Sequence, residues 1–309
     1  PALALALSRA GLRVAVIDAL PARTFENADF DGRAYALALT SVRLMEGLGI
    51  WPEIAGDAQP MLQIKVTDGR AGTGPSPMFM HFDHAEIEEG PMGHMVEDRH
   101  LRRALLKAVA ADPAITMLND TRVTDQTVEP TGITLTLESG KTLRARLAVG
   151  ADGRGSGTAE RAGIKRIAWS YGQTALVCVV DHEKPHHGIA HQFFMPPGPL
   201  AILPLTGNRS LIVWSEASAN AAAINALPDA QYLDVQLSGG AFPDRPALQL
   251  SAGPVASAFH DRPARGAFGR RGPWRAPYRG SGVERGSTRC GGLGRGNRRC
   301  GSPGRRSRQ

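Results

Sequence analysis

Apolar and polar residues along the chain form patterns that predict helices and strands in mixed order. The leucine-rich start predicts a helix that ends at Gly11, where a helix C-cap glycine belongs. The apolar run Leu12–Ile17 then predicts a buried strand, which Asp18 closes. Helical spacing of apolar residues predicts two more helices, over Thr40–Gly49 and Asp98–Ala110. This half of the chain therefore predicts βα units.

Strand patterns dominate the rest of the chain. Arg122–Glu129, Ile133–Leu137 and Thr142–Arg146 are predicted strands, the last two joined by a turn at Ser139 and Gly140. The segment LAVGADG, which begins at residue 147, predicts a buried strand that runs into a glycine turn. Four closely spaced segments follow and predict one antiparallel sheet: TALVCVV, AHQFFMPPG, PLAILPLTG and RSLIVWSE. The fold class is α/β, with an inserted or appended β-sheet.

Charge divides the chain into a body and a tail. From Arg262 to Gln309 there are 14 arginines, no lysine and one acid, Glu284, a net charge of +13. The remaining 22 basic and 28 acidic residues give the body a net charge of −6. The body holds a single cysteine, Cys178, which excludes a disulfide framework there and fits a reducing compartment. No signal peptide and no membrane-spanning apolar run are recognised, and the start at Pro1 suggests a fragment.

Two aspartates are candidates for nucleotide contacts. An acid at the end of a strand, as Asp18 is, accepts hydrogen bonds from the ribose hydroxyls in dinucleotide-binding βαβ units. The G-x-G-x-x-G turn of such a unit is absent, so Asp18 is also open to interpretation as a capping or loop aspartate. In GADGRGS, Asp152 and its glycines bring backbone amides close to a ligand, although an ordinary Asp-Gly turn has the same sequence.

Three histidines lie close together in HHGIAH, at His186, His187 and His191. No acid or cysteine is spaced to complete a zinc site with them. We therefore interpret them as loop and strand histidines and predict no metal site. No Ser-His-Asp spacing and no nucleophile elbow is present.

Several stretches, in order, resemble the ubiquinone-biosynthesis hydroxylases, within the para-hydroxybenzoate hydroxylase-like FAD-dependent monooxygenases. The resemblance covers roughly residues 1–250 and implies that Arg33 approaches the flavin, that Arg99 reaches the FAD, and that Asp152 and Gly153 form the core of a motif for FAD and nicotinamide binding. It rests on these stretches: ALALALSRAGLRVAVID, DGRAYALALTSVRLMEGLGIW, VEDRHLRRALLKAV, GADGRGSGTAERAGI, WSYGQTALV and GPLAILPL.

The resemblance implies an FAD-binding, Rossmann-like domain of the glutathione-reductase type with an antiparallel β-sheet substrate domain, incomplete at both ends. The FAD-binding domain would span residues 1–60, without its first strand and glycine motif, and residues 96–166. The substrate domain would span residues 61–95 and 167–250. Residues 251–309 would form an out-of-frame, disordered tail. Asp18 is the expected ribose contact.

By the same resemblance, the activity is hydroxylation of an aromatic ring with NAD(P)H, O₂ and FAD, in ubiquinone biosynthesis. The substrate would be a polyprenylated phenol, with Tyr171, Gln173 and Phe193 in its pocket and no assigned general base. The implied location is cytoplasmic, in peripheral contact with the inner membrane and in a complex with other proteins of the pathway. Nucleic acid is not an expected partner.

The tail has a composition that a frameshift explains. These hydroxylases continue with a second flavin motif, of the type G-D-A-A-H-x-x-H-P-x-x-G-Q-G-L-N, which the tail lacks as written. If the segment Arg270–Trp274 is encoded by CGA CGC GGC CCA TGG, a start one base later gives Asp-Ala-Ala-His and then glycine. We therefore expect a one-base shift between about Leu250 and Asp261, an inactive chain as written, and weak or absent FAD binding.

Two alternatives remain open. One is a related flavin monooxygenase that acts on a soluble aromatic or lipid. The other is a non-catalytic protein that binds RNA or another anion through an arginine- and glycine-rich tail. The tail has only Trp274 and Tyr278 as interleaved aromatic residues, which disfavours nucleic-acid binding.

Overall fold

The computed structural model describes residues 1–22, 32–70, 74–236, 248–255 and 264–266. Over these ranges the protein is mixed α/β, which confirms the predicted class at that level. Two parts of the fold position the candidate site. One is a parallel pair of strands packed against helices, and the other is a seven-stranded, mostly antiparallel sheet.

The parallel pair consists of β1 (Val14–Ile17) and β7 (Ile115–Leu118), with Val14 opposite Ile115. Helix α1 (Ala2–Arg9) precedes β1, and helix α4 (Asp98–Ala111) precedes β7. The predicted strand begins two residues later than expected, because the Leu12 amide donates to the Leu7 carbonyl oxygen and so caps α1.

Two short helices complete this layer: α2 (Leu39–Gly47) and α3 (Trp51–Ile54). Gly49 adopts a positive φ of 66° just after α2, and the Ile50 amide there bonds back to the Met45 carbonyl oxygen. The helices predicted at Thr40–Gly49 and Asp98–Ala110 are thus confirmed. Their shared core contains Ala4, Leu5, Met45, Leu48, Ile50, Ile54, Ala104, Val109 and Ile115.

A three-stranded antiparallel sheet lies next in the chain, in the order β2 (Ala34–Ala38), β6 (Gly93–Glu97) and β3 (Ala58–Met61). The central strand β6 leads directly into α4. Met61 and Met95 of this small sheet pack in one core with Val179 and Leu211 of the large sheet. The small sheet therefore joins the two parts of the fold.

The large sheet has the strand order β16-β12-β15-β14-β13-β4-β5, and only the β13–β4 pair is parallel. The four predicted segments form its centre, which confirms an antiparallel sheet there. Three further strands, β4, β5 and β16, complete the sheet, and the local pattern did not assign them to it. The bounds of the seven strands are β4 Gln63–Arg70, β5 Gly74–Asp83, β12 Gln173–His182, β13 Ile189–Met195, β14 Gly198–Leu205, β15 Arg209–Ala217 and β16 Leu248–Val255.

The two faces of the large sheet have different coverings. Helices α6 (Ser218–Asn225) and α7 (Asp229–Gln236) pack on one face, where Tyr232 is fully buried beside Cys178. Part of the opposite face packs on the small sheet. Side chains of adjacent residues on a strand point to opposite faces, so each residue's register decides which environment it enters.

An antiparallel meander follows β7, in the order β10-β9-β8, and leads to the short helix α5 (Gly157–Arg161). The bounds of its strands are β8 Val123–Glu129, β9 Gly132–Leu137 and β10 Thr142–Ala145.

The predicted buried strand at residue 147 is wrong. Residues 147–150 form no strand, and Leu147 and Val149 are 76% and 56% exposed. A buried strand needs a ladder partner, and within the described ranges β7 is the one strand paired with β1.

A last strand pair joins β11 (Ile167–Trp169) to β17 (Ala264–Gly266). Strand β16 pairs with β12 as far as Val255, so the large sheet continues beyond residue 250, where the tail was predicted to begin. The arginine- and glycine-rich segment 270–297, and with it the frameshifted motif, lies outside the described residues. So does Asp31, the first residue of the stretch that contains Arg33.

Candidate functional site

The candidate site lies at the edge where the parallel strands end. Asp18 follows β1, its Oδ1 atom accepts the Leu20 amide at 2.9 Å, and its carbonyl oxygen accepts the Thr121 amide at 3.0 Å. The carboxylate thus closes a local Asx-type turn and holds the chain at the end of the strand. This placement agrees with both interpretations of Asp18, as a ribose contact and as a turn aspartate.

The topology brings Arg99 to the same edge. Helix α4 is followed after three residues by β7, which runs parallel to β1. Since α4 runs back along β7, its amino terminus lies at the end of the pair where both strands finish. Arg99 occupies the first turn of α4 and so faces the same edge as Asp18.

Arg33 is anchored to the start of α4. Its carbonyl oxygen accepts the Asp98 amide at 2.9 Å, and its Nη2 atom lies 3.3 Å from Asp98 Oδ2. The Tyr35 hydroxyl donates to Asp98 Oδ1 at 2.8 Å, and Arg102 Nη1 lies 3.3 Å from Oδ2. Both arginines approach Oδ2 without hydrogen-bond alignment, so these are ion pairs rather than directed bonds. Asp98 is 7% exposed, and it holds Arg33 beside the start of α4.

Arg99 is held by the preceding acid. Its Nε atom donates to Glu97 Oε2 at 2.7 Å, while Arg209 of β15 donates from Nη1 to Glu97 Oε1 at 2.9 Å. His100 lies against the same group, with Nδ1 3.0 Å from Asp57 Oδ2 and Nε2 3.8 Å from Glu97 Oε2. Burial lowers the pKa of His100, and the nearby Asp57 carboxylate opposes that shift. Two consecutive buried acids therefore each fix one of the predicted cofactor arginines.

Asp152 and Gly153 form a tight turn at the start of α5. Ser156 Oγ donates to Asp152 Oδ1, and the Thr158 amide donates to Oδ2 at 3.0 Å. Burial raises the pKa of Asp152, but these hydrogen bonds outweigh it, so the pKa lies below its ordinary value. Gly153 has a φ of +73°, which glycine adopts without strain. Asp152 thus organises its own turn, and its contact with FAD stays a prediction.

The predicted pocket residues are spread over the large sheet. Tyr171 is 67% exposed and lies edge-on to Trp169, and the Gln173 side chain donates to the Pro197 carbonyl oxygen. Gln173 begins β12, eight residues from Asp181, which pairs with Arg209, so it lies roughly 26 Å from Arg209 at about 3.3 Å per residue. Tyr171 precedes this end of the strand. The contact of these two residues with substrate stays a prediction.

Phe193 and Phe194 lie on opposite faces of the large sheet. Phe193 is 6% exposed and belongs to the core beneath α6 and α7, where it stacks on His191. Its neighbour Phe194 is 55% exposed on the other face, the face that contains Gln192. The structure therefore presents Phe194, rather than Phe193, to a molecule bound on that face.

The histidines near residue 186 have structural partners. His186 Nε2 lies 2.9 Å from both the Leu205 and the Gly207 carbonyl oxygens, and its Nδ1 accepts the Gly188 amide. His191 stacks on Phe193, 6.1 Å between ring centroids. Among the described residues there is no group of three or more His, Cys, Asp or Glu that could hold a metal ion.

The pattern of the sequence did not single out Glu97, Asp98 or Arg209. One local signal was available, because two consecutive acids lie between an apolar strand and an amphipathic helix, where burial demands partners. Arg209 carried no such signal, since it is 112 residues away from Glu97 along the chain.

An acid at a strand end and arginines at the start of α4 supply two kinds of group that bind dinucleotides, an acceptor for ribose hydroxyls and cations for a pyrophosphate. The sequence pattern of the family described as FAD binding domain matches residues 2–222. The chain belongs to this family, and its cofactor is FAD.

Curated relatives agree with this assignment. The chain is 45% identical over 235 residues to the ubiquinone hydroxylase UbiL of Rhodospirillum rubrum, covering 76% of this chain and 53% of the relative. It is 33% identical over 220 residues to the 3-demethoxyubiquinol 3-hydroxylase of Escherichia coli K12, covering 71% and 55%. The chain therefore spans about half the length of the curated relatives it matches. The predicted resemblance to ubiquinone hydroxylases is confirmed.

A solved structure supports the fold. PqsL of Pseudomonas aeruginosa, described as a probable FAD-dependent monooxygenase, superposes with a TM-score of 0.61 at 20% identity. The match covers 80% of this chain and 69% of that one. Within the described ranges, no helix has the length and apolar character needed to cross a membrane.

Proposed function

We propose that this chain is the FAD- and substrate-binding part of a monooxygenase that hydroxylates an aromatic ring in ubiquinone biosynthesis, with electrons from NAD(P)H. The observation that carries the proposal is the 45% identity to a ubiquinone hydroxylase. The order of β1, α4 and β7, which puts Asp18 and the start of α4 at the same end of the parallel pair, supports it. The glutathione-reductase-type arrangement of the FAD domain belongs to the same proposal.

The residues at this edge fit FAD chemically. Asp18 would accept from the ribose hydroxyls, and the guanidinium groups of Arg33 and Arg99 would neutralise the pyrophosphate. FAD would supply the redox chemistry when bound. The protein would bind the cofactor, orient the substrate towards it and exclude water from the site. Asp152 and Gly153 would bring backbone amides towards the cofactor from the α5 turn.

The substrate would lie on the open face of the large sheet. Phe194 and Gln192 occupy that face on β13, and Val66 and Met80 continue it across β4 and β5. We propose that a prenylated phenol binds there, with its ring positioned by these side chains and by Tyr171 and Gln173 at the end of β12.

Contact with a membrane surface and with other proteins of the pathway is a further part of the proposal. Met78, Phe79 and Met80 are 82%, 59% and 60% exposed on β5, the edge strand of the sheet. An apolar patch of this kind marks an interaction surface. Sedimentation with phosphatidylcholine vesicles tests membrane contact, and a Met78→Ser, Met80→Ser variant should reduce the bound fraction.

FAD titration followed by flavin fluorescence tests the cofactor site. Arg99→Gln and Arg33→Gln should each raise the FAD Kd about tenfold or more, because each removes a charge-assisted contact. Arg43→Gln, which breaks an exposed ion pair with Glu89, is the control and should leave the Kd unchanged. Equal Kd values for all the variants would contradict the assignment.

The activity needs its own assay. In the full-length protein, NAD(P)H oxidation should depend on an aromatic substrate and give a hydroxylated product, identified by mass spectrometry. Preference for a prenylated phenol over a water-soluble phenol would support the ubiquinone pathway. Preference for the soluble phenol would favour the related monooxygenase class instead.

A further inference from the structure

A single carboxylate connects the cofactor edge to the large sheet. Glu97 ends β6 and is 3% exposed, and each of its carboxylate oxygens accepts from a different arginine. Arg99 lies on α4, at the edge proposed to bind FAD. Arg209 begins β15 of the large sheet and also lies 3.9 Å from Asp181 of β12.

The ion pair between Glu97 and Arg99 is formed through the Nε atom of Arg99. A planar guanidinium group that is held through its Nε atom is restricted in orientation. The guanidinium group of an exposed arginine without such an anchor is not restricted in this way. The Arg99 side chain is 30% exposed while that of Glu97 is 4% exposed, so the anchor is buried and the anchored group reaches solvent.

Arg209 makes this anchor dependent on the large sheet. Glu97 is a buried anion, and two arginines compensate for its desolvation. Loss of Arg209 would leave Arg99 as the charged partner of the Glu97 carboxylate among those described above and would change the position of that carboxylate. Any displacement of the start of β15 would therefore move the group that holds Arg99.

We propose that Glu97 is a positioning residue, which orients Arg99 for the cofactor and couples that orientation to the large sheet through Arg209. The role of Arg99 towards FAD rests on the proposed function. The coupling among Glu97, Arg99 and Arg209 does not, because it is carried by the distances among these three side chains.

FAD titration of single and double variants tests the positioning role. Glu97→Gln should raise the FAD Kd about tenfold, and Arg209→Gln should raise it about threefold although it lies on another sheet. In an Arg99→Gln background, Glu97→Gln should change the Kd by less than twofold, because Glu97 acts through Arg99. Glu53→Gln, which breaks the exposed 2.9 Å pair with Lys107, is the matched control.

Urea unfolding of the same variants tests the coupling without cofactor. The shift in midpoint caused by Arg209→Gln should shrink by at least half once Glu97 is Gln, whereas Glu53→Gln should leave that shift unchanged. If Glu97→Gln does not fold, Arg209→Gln and Arg209→Lys replace it. The lysine variant should keep the midpoint and the FAD Kd closer to wild type than the glutamine variant does.

Each result decides one claim. Non-additive Kd and midpoint values support the proposal, whereas additive values, or an unchanged Kd in folded Glu97→Gln, overturn it. Weak FAD binding is expected of the chain as written, so only a failure of both this chain and the protein made in the restored frame to bind FAD counts against the proposed function. In that case the unfolding cycle alone decides the coupling, and additive midpoints reject it.

Discussion

At the scale of single residues, the turn before α5 shows how local chemistry sets a backbone conformation. The Asp152 carboxylate accepts hydrogen bonds from the Ser156 hydroxyl and the Thr158 amide. Gly153, the next residue after Asp152, has a φ of +73°. Gly150 approaches α5 so closely that a Cβ atom there would lie 2.8 Å from Thr158 Cγ2. The glycines in this motif therefore have structural reasons that are independent of any ligand.

Gly153→Ala should destabilise the protein by about 1 kcal/mol, because a non-glycine residue is strained in the left-handed region. No atom lies within 4 Å of the added Cβ, so the cost is one of backbone conformation alone. Gly155→Ala is the control, since its surroundings are equally open and its φ is not in the strained range. Urea unfolding measures both, and equal midpoints would contradict the backbone explanation.

His191 should make stability depend on pH. Burial, and then the charge of Lys65, lower its pKa below the ordinary 6.5. The unfolded chain therefore takes up this proton more readily, so the free energy of unfolding falls as the pH drops from about 7 through 6.5 towards the folded-state pKa. His191→Gln should flatten this dependence.

Urea midpoints at pH 7 and pH 5.5 measure the effect of His191. His94 and His100, whose pKa values burial also lowers, should retain part of the slope. His81→Gln, on the exposed edge strand, serves as the control. A slope that is the same in His191→Gln and in wild type would reject this assignment.

At the scale of elements, α7 depends on one aromatic side chain. Tyr232 is fully buried between α7 and the large sheet, and burial followed by the neighbouring Cys178 raises the pKa of its hydroxyl. Leu233 and Val235 of the same helix pack against the same core. The short helix is thus held by tertiary packing rather than by its intrinsic helical propensity.

Tyr232→Ala should reduce the free energy of unfolding by about 3–5 kcal/mol, the usual cost of deleting a buried aromatic side chain. Tyr171→Ala deletes the same phenol ring at a position that is 67% exposed, so it should lower the free energy of unfolding by less than about 0.5 kcal/mol. Thermal and urea unfolding measure the pair. A small effect at Tyr232 would show that α7 contributes little to the core.

At the scale of the whole molecule, the family match covers residues 2–222, and the chain spans about half the length of its curated relatives. The resemblance implies that a second flavin motif should follow. The sequence after Asp261 lacks that motif as written, and we predict that a one-base shift of the reading frame restores it. Apart from β17, this part of the chain lies outside the described residues.

Sequencing the DNA across codons 250–261 should reveal a one-base insertion or deletion relative to the frame that encodes Gly-Asp-Ala-Ala-His. A protein made in the restored frame should bind FAD at least tenfold more tightly, because it regains an acidic contact and a helix amino terminus. An unbroken frame whose shifted translation lacks the motif would refute the frameshift.

Short-range patterns in the sequence predict many of the local elements, and the resemblance of several stretches indicates the family. Helices α2 and α4, the central strands of the large sheet and the glycine turns follow from spacing and composition over short windows. Asp18 is a candidate because it closes a strand, and the resemblance of contiguous stretches to the family implies cofactor contacts for Arg33, Arg99 and Asp152. Such signals need only neighbouring residues, which is why they can be recognised without the fold.

The contacts of these elements depend on the tertiary fold. Phe193 entered the helix-covered core and Phe194 the open face because a shift of one residue reverses the side of a strand. Residues 147–150 did not form a strand because a ladder requires a partner from elsewhere in the chain. Glu97 met Arg209 across 112 residues, a contact set by how β6 and β15 pack, which no local pattern encodes.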